Sequence, residues 1–377
     1  MLLDCGYEAD SVSLQANNVV PTMNQKVRVI VVGCGNMGSS HARAYHGIEG
    51  FELVGLVDAY PDAREKLADE LGGVVQFDDF DTALAATRPD AVAVCTYPDT
   101  HARLAIRSME AGAHVFVEKP IAPTVEEAEQ VVAKAVELDK KLVVGYILRV
   151  HPSWKRFIEI AQTLGKPLVM RMNLNQQSSG KTWRTHLKLM ESMSPIVDCG
   201  VHYVDVMCQM TRSKPVKVNA IGARLSNEIN SGMYNYGQLQ VVFEDGSVGW
   251  YEAGWGPMMS EVAFFVKDVI GPKGCVNIMD AETGKESDDI DSHTKTNRLK
   301  LHYAECKDQG QFSRADEIIS TEDEPDHQGL CNLEQEFFLE SIISNRDLGD
   351  HMSDAINSLR IVLAADEAYR TGKTVML

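Results

Sequence analysis

VRVIVVGCGNMG, residues 27–38, decides how the rest of the chain is read. Its first six residues are β-branched except for Arg28, and the apolar positions follow one another instead of alternating. That pattern predicts a strand covered on both faces, as in a parallel sheet. Gly33, Gly35 and Gly38 then stand in GxGxxG spacing, with Asn36 and Met37 between the last two, where a helix is expected to begin. Glycines there let the backbone approach a pyrophosphate lying on the helix N-terminus. The spacing alone is a weak signal. Its position between strand and helix strengthens it, and so does Asp58 at the end of the next predicted strand, FELVGLVD (51–58), whose carboxylate suits ribose hydroxyls. That carboxylate would repel a 2′-phosphate, so NAD is expected over NADP, with Arg64 the nearby residue that tempers the preference.

Outward from this stretch, strand and helix alternate. Strands are expected near VVQF (74–77), DAVAVC (90–95), HVFVE (114–118) and LVVGYIL (142–148). Helices are expected over 62–71, 81–86 and 99–111, and over 125–138 behind a capping box of Thr124 and Glu127. The class is therefore α/β, with a doubly wound Rossmann sheet over residues 25–148. In such a sheet ligands sit at the carboxyl ends of the strands. CTYPDTH (95–101) puts Thr96, Pro98 and His101 there as cofactor-side candidates, and VFVEKP (115–120) adds Glu118 and Lys119. A lysine at a buried strand end is costly unless it has a partner or a task. Adjacent residues of a strand point to opposite faces, so Glu118 is not expected to be that partner. Pro120 keeps Lys119 out of helical geometry, and a cis Lys119–Pro120 bond is a possibility a structure tests. Tyr146 and Arg149, after the sixth strand, are read as substrate-side residues.

With 377 residues, two domains are expected. The formal charge of −18, from 36 basic and 54 acidic residues, argues against nucleic acid or an anionic membrane as partner. No apolar run approaches the roughly 18 residues of a transmembrane helix. The eight cysteines form no CxxC pair and read as reduced thiols of a cytoplasmic protein. Residues 1–24 lack the pattern of a signal peptide and are expected to be a disordered leader.

The second part, 149–377, changes character. KPLVMRMNL (166–174), VKVNAIGAR (216–224), YNYGQLQVVF (234–243), SVGWYEAGW (247–255) and EVAFFVKDVIG (261–271) read as strands of an antiparallel sheet. SPIVDCGVHYVDVMCQM (194–210) reads as one helix, with Asp198, His202 and Asp205 on a single face directed at a cleft. A metal held by Asp198, Cys199 and His202 fits poorly, because Cys199 points elsewhere on the helix; no metal is expected. Tyr234, Tyr236, Trp250 and Trp255 are read chiefly as sheet packing or subunit interface, and residues 280–330 as a surface insertion with one strand, 298–304.

The glycine turn, TYPDTH, VEKP and DCGVHYVD together resemble the Gfo/Idh/MocA oxidoreductases, the group of glucose–fructose oxidoreductase and inositol dehydrogenase. The resemblance runs from about Val27 to the C-terminus. It implies a second domain with a large open, mostly antiparallel sheet, NAD(P)-dependent oxidation or reduction of sugars and cyclitols, and a homodimer or homotetramer. It also implies that Lys119 sits beside the substrate hydroxyl and that Asp198 and His202 complete the site. Trp183 and Arg184, in KTWRTH, match a pair that lies near the cofactor in that family. Met193-Ser194-Pro195 departs from the glycine pair many members carry before the aspartate. Histidine suits general acid–base work and a lysine can stabilise charge developing on the same oxygen; which of the two takes the proton stays open. An NAD-dependent glycosidase that oxidises its sugar transiently, or a non-catalytic NAD-binding regulator, would use the same fold.

Overall fold

The computed structural model describes residues 26–259, 266–279, 296–307, 310–321 and 323–377. The expected leader, 1–24, lies outside them. Strands β1 (Val27–Val32), β2 (Phe51–Val57), β3 (Gln76–Phe77), β4 (Ala91–Val94), β5 (His114–Glu118) and β6 (Leu142–Gly145) form a parallel sheet in the order β3-β2-β1-β4-β5-β6. The order reverses at β1, which places the crevice for a dinucleotide between β1 and β4. Helices α1 (Asn36–Gly47), α2 (Pro61–Glu70), α3 (Phe80–Thr87), α4 (Pro98–Glu110) and α5 (Val125–Glu137) make the crossovers. Thr124 caps α5 by accepting the Glu127 N–H at 3.2 Å, as its spacing predicts. The sixth strand is shorter than expected. It stops at Gly145, and Ile147–Arg149 coil into a 3₁₀ turn.

Helix α6 (Pro152–Thr163) leads into a nine-stranded sheet ordered β14-β13-β12-β11-β7-β10-β9-β8-β15. Its members are β7 (Val169–Gln177), β8 (Pro215–Ala223), β9 (Tyr236–Phe243), β10 (Val248–Gly256), β11 (Lys267–Gly271), β12 (Gly274–Met279), β13 (Arg298–Tyr303), β14 (Glu317–Ser320) and β15 (Val375–Met376). The pairing is antiparallel except at the centre, where β7 and β10 run parallel. They are not hairpin neighbours in sequence, so nothing forces them to oppose. The expected strand 261–271 survives as β11, its first part falling outside the described residues. The stretch 280–330 is not merely an insertion: β13 and β14 extend the sheet edge, and residues 280–295 lie outside the description.

Between β7 and β8 the chain forms α7 (Gly180–Leu189), α8 (Pro195–Asp198) and α9 (Gly200–Thr211); after β14 come α10 (His327–Ile343) and α11 (Gly349–Thr371). Helix α11 packs on β8 and α9, and α10 on α1 of the parallel sheet's unit. No helix of the described residues is long and apolar enough to cross a membrane. The described cysteines form no disulfide.

Candidate active site

The turn after β1 is shaped for a pyrophosphate. A Cβ on Gly33 would lie 2.4 Å from the Cys95 carbonyl oxygen, and one on Gly38 would lie 1.8 Å from that of Gly33. Both positions therefore require glycine. A Cβ on Gly35 would meet nothing within 4 Å. Gly35 is the N-cap of α1 and no side chain caps the helix, so the first N–H groups face open space with the positive end of the helix dipole behind them. Asn36 and Met37 open that helix. Asp58 accepts the Cys34 N–H at 2.7 Å and the Tyr60 N–H at 2.8 Å, bracing the turn, while Arg64 donates to the Asp58 carbonyl at 2.9 Å. These residues fit a bound NAD.

One cavity opens where the strand tips meet the second sheet. Its walls include Met37, Glu118, Lys119 and Gly145 from the dinucleotide unit and Gln176, His186, Asp198, His202, Trp255, His327 and Glu334 from the other. The Lys119–Pro120 peptide is cis. Lys119 Nζ donates to Asp198 Oδ1 at 2.9 Å and to the Asp198 carbonyl at 3.0 Å. The predicted single helix is in fact broken at Cys199, and this explains the second bond. His202 N–H turns to the Cys199 carbonyl instead of closing the helical bond to Asp198, which leaves the Asp198 oxygen for the lysine. Ser194, which caps α8 through the Val197 N–H, and Pro195 at the first helical position fix where this short helix starts. The Met193-Ser194-Pro195 departure thus begins a one-turn helix that ends at Asp198.

Electrostatics assigns the protons. Burial alone would neutralise both partners of the pair. Each charge outweighs that for the other, so the Lys119 ammonium is held above the usual lysine range and the Asp198 carboxyl below its own. His202 has the opposite fate. Burial, and then the Lys119 charge, push its imidazole down to about 3, so it is neutral at neutral pH. Its ring stands edge-on to Tyr146, centroids 5.9 Å apart.

Other expected residues fall elsewhere. Tyr146 is buried with its hydroxyl 2.9 Å from Ser358 Oγ, and Arg149 is spent on Asp205 and Asp354; neither lines the cavity. Asp205, three residues after His202 on α9, does not line the cavity with it but is buried against Arg149. A basic group at a buried strand tip was drawn to two carboxylates that only the folded chain brings there. His101 is also internal. Its ring nitrogens lie 2.8 Å from the Pro120 carbonyl and 2.9 Å from that of Thr96, tying two strand tips together. Thr96 and Pro98 stand half-buried at the start of α4. Trp183 is buried, donating to Glu228 at 3.2 Å, and Arg184 is exposed; the cavity residue of α7 is His186, one turn further on. His186 stacks on Trp255 at 4.3 Å, and Trp255 Nε1 donates to Gln176 at 2.6 Å. Of the four aromatics read as packing, Trp255 therefore also forms cavity wall. Gln176, His186, His327 and Glu334 gave no local signal. Among the described residues, His41, Cys331 and Glu334 bring possible ligand atoms within 4.8 Å of one another. Both ring nitrogens of His41 are already taken, by Glu118 at 2.7 Å and Gln335 at 2.9 Å, so a metal has no place there.

A dinucleotide cradle that opens onto a cavity holding a lysine, an aspartate and a histidine marks an NAD-binding protein. The family comparison makes this specific: residues 27–146 match the Gfo/Idh/MocA model "Oxidoreductase family, NAD-binding Rossmann fold", and 155–274 match the GFO/IDH/MocA C-terminal domain. The chain belongs to the Gfo/Idh/MocA family. It is 28% identical over 222 residues to an inositol 2-dehydrogenase of Rhizobium meliloti, covering 59% of this chain and 66% of that one, just under two thirds of its length. It is 28% identical over 324 residues to a scyllo-inositol 2-dehydrogenase (NAD(+)) of Bacillus subtilis, covering 79% of this chain and 91% of that one. Among solved structures, scyllo-inositol dehydrogenase of Lactobacillus casei with bound NAD(H) and scyllo-inositol superposes with a TM-score of 0.72 at 21% identity, over 93% of this chain and 99% of that one. That likeness concerns the fold.

Proposed function

We propose that this chain is a dehydrogenase that oxidises a secondary hydroxyl of an uncharged sugar, glycoside or cyclitol, with NAD as hydride acceptor. The observation that carries the proposal is the charged Lys119–Asp198 pair in one cavity with a neutral His202. The glycine turn and Asp58 would hold NAD, which would supply the acceptor for the hydride of the carbinol carbon. The hydroxyl proton must leave as the carbonyl forms. Lys119 holds its own proton and donates to the substrate oxygen, stabilising negative charge there. His202 is the unprotonated group and receives the proton. Asp198 orients the ammonium and offsets its charge.

Charge also bears on the substrate. Lys119 is the one Lys or Arg lining the cavity among the described residues, and Asp198 already balances it. A phosphate or carboxylate would find no free cation, whereas hydroxyls find Gln176, His186 and the polar triad, beside the flat rings of His186 and Trp255. The names of the inositol dehydrogenases it is similar to agree with this reading. The test is a panel of inositols, free hexoses, glycosides and their anionic counterparts with NAD, followed by absorbance of the reduced cofactor. Uncharged polyols are expected to react, and preference for the anionic members would refute the substrate reading. No reduction by any member, with cofactor retained through purification, would instead favour a glycosidase that recycles its NAD.

Asp58 supplies a separate check on the cofactor. An Asp58→Ala change removes the ribose acceptor and the brace on Cys34, so the NAD dissociation constant is expected to rise about 10- to 100-fold. Fluorescence titration measures it, and an unchanged value would exclude Asp58 from the ribose site.

A further inference from the structure

Helix α10 lies against α1, and its side chains reach into the dinucleotide unit. Gln328 Nε2 donates to the Ser40 carbonyl at 2.9 Å, and Gln335 accepts the Tyr45 hydroxyl at 2.5 Å. Gln335 Nε2 is also 2.9 Å from His41 Nδ1, and His41 Nε2 is 2.7 Å from Glu118 Oε1. The other Glu118 oxygen accepts the Lys119 N–H at 3.1 Å. Glu118 is thus held from behind by α10 while its neighbour Lys119 faces Asp198.

Next to Gln335 stands Glu334, and the proposed reaction gives it no role. It lines the cavity, is 3% exposed, and its Oε2 is buried with no hydrogen-bond partner. A carboxylate without a partner in such a place is costly. The charge that acts on it is another carboxylate. Burial, and then the Glu118 charge, hold the Glu334 carboxyl well above its usual range. Burial pushes Glu118 up as well, but the His41 hydrogen bond and the His41 and Lys119 charges outweigh it, and Glu118 titrates below its usual range. Of the two neighbours, Glu334 therefore holds its proton more tightly than Glu118.

We propose that Glu334 is a hydrogen-bond donor that α10 presents to the nicotinamide–ribose end of bound NAD. Its electrostatic neighbours are Glu118, Cys95 and Tyr45, which belong to the strand tips and α1. The groups that act on His202 are Lys119, Asp198 and Glu118. The Glu334 carboxylate lies within 4.8 Å of a ring nitrogen of His41, whose ring bonds Glu118 at the end of β5, so Glu334 stands on the strand-tip side of the cavity. His327, two helical turns earlier on the same face, lines both this cavity and the groove over the glycine turn. One face of α10 accordingly follows the cofactor from pyrophosphate to nicotinamide. A neutral donor binds without adding negative charge beside the nicotinamide ring, where an ionised carboxylate would favour the oxidised, cationic form and oppose hydride acceptance.

The inference depends on NAD binding and not on the roles given to Lys119 and His202. Its test is therefore binding: dissociation constants of the full-length protein for NADH, from quenching of tryptophan fluorescence. Glu334→Gln, which stays neutral and can donate, is expected to bind within about threefold of wild type, and Glu334→Ala about tenfold more weakly. Wild-type affinity in Glu334→Ala would overturn the proposal. So would a glutamine variant as weak as the alanine one, since the ionised oxygen would then be what matters. If circular dichroism shows Glu334→Ala unfolded, the infrared spectrum decides. Wild type should show the carbonyl stretch of a protonated carboxylic acid, absent in Glu334→Gln and shifted by added NAD. Absence of that band, or indifference to NAD, would overturn the proposal as well.

Discussion

Lys119→Met is expected to lower kcat by about 10²–10³ or more while NADH still binds within a few-fold, because the change removes a donor aimed at charge that develops only during reaction. Methionine keeps much of the stem and loses the ammonium. It also leaves the Asp198 carboxylate without its partner, so neighbouring His202 should become easier to protonate. Wild type and variant should therefore differ in pH profile. In the wild type, His202 has dropped to about 3 from 6.5, so its neutral form is lost only as the pH falls toward 3. No acid limb from this group is expected in kcat/KM over about pH 5–8. In Lys119→Met an acid limb should move up toward the ordinary histidine range. Steady-state rates across pH measure both effects. A variant within tenfold of wild type, or a wild-type limb near 6.5 that His202→Ala removes, would refute the division of labour between Lys119 and His202.

Much of this was legible before folding, for reasons that are local. VRVIVVGCGNMG declares its strand, turn and helix within twelve residues, and each glycine requirement is met by neighbouring backbone. Lys119 was legible because an ammonium at the end of a buried strand needs a reason. Its partner could not be Glu118, and the reason proved to be Asp198. What the sequence hides is long-range pairing. Tyr146 and Arg149 obey the same rule of polar groups at strand ends, yet Ser358, Asp205 and Asp354 come from α9 and α11 to satisfy them. Glu334 and His186 show the converse. Each looks like an ordinary residue of a helix, and only the docking of α10 and the position of α7 put them on the cavity. Glu118 has its partner in His41, itself held by Gln335, and only the folded chain brings these together.

The second large effect concerns stability. Arg149 donates to Asp205 at 2.5 and 2.8 Å and to Asp354 at 3.0 Å, with side chains 13%, 1% and 10% exposed. Gln209 and Arg212 complete the network, which fastens the turn after β6 to α9 and α11. Arg149→Met would leave the buried Asp205 carboxylate without a cation, while Asp354 keeps Arg212, and a loss of about 3–5 kcal/mol is expected near neutral pH. The pH dependence follows from Asp205. Burial is the largest influence and Asp354 adds to it; Arg149 opposes both, and the carboxyl is still pushed up to about 6 from 3.8. A raised carboxyl favours the fold below 3.8, and that contribution is lost as the pH rises to about 6. Without Arg149 the carboxyl should rise further and accept a proton when the medium offers one. The penalty of Arg149→Met should therefore be smaller at about pH 5 than at about pH 7.5. Denaturant unfolding at the two pH values measures it. An unchanged midpoint, or a larger loss at the lower pH, would show that the triad does not hold α9 in place. Because α9 carries His202 against Tyr146, folded Arg149→Met should also lose kcat with little change in NADH affinity. If NADH affinity falls as much as kcat, Arg149 supports the cofactor cradle and not the helix of the proposed base.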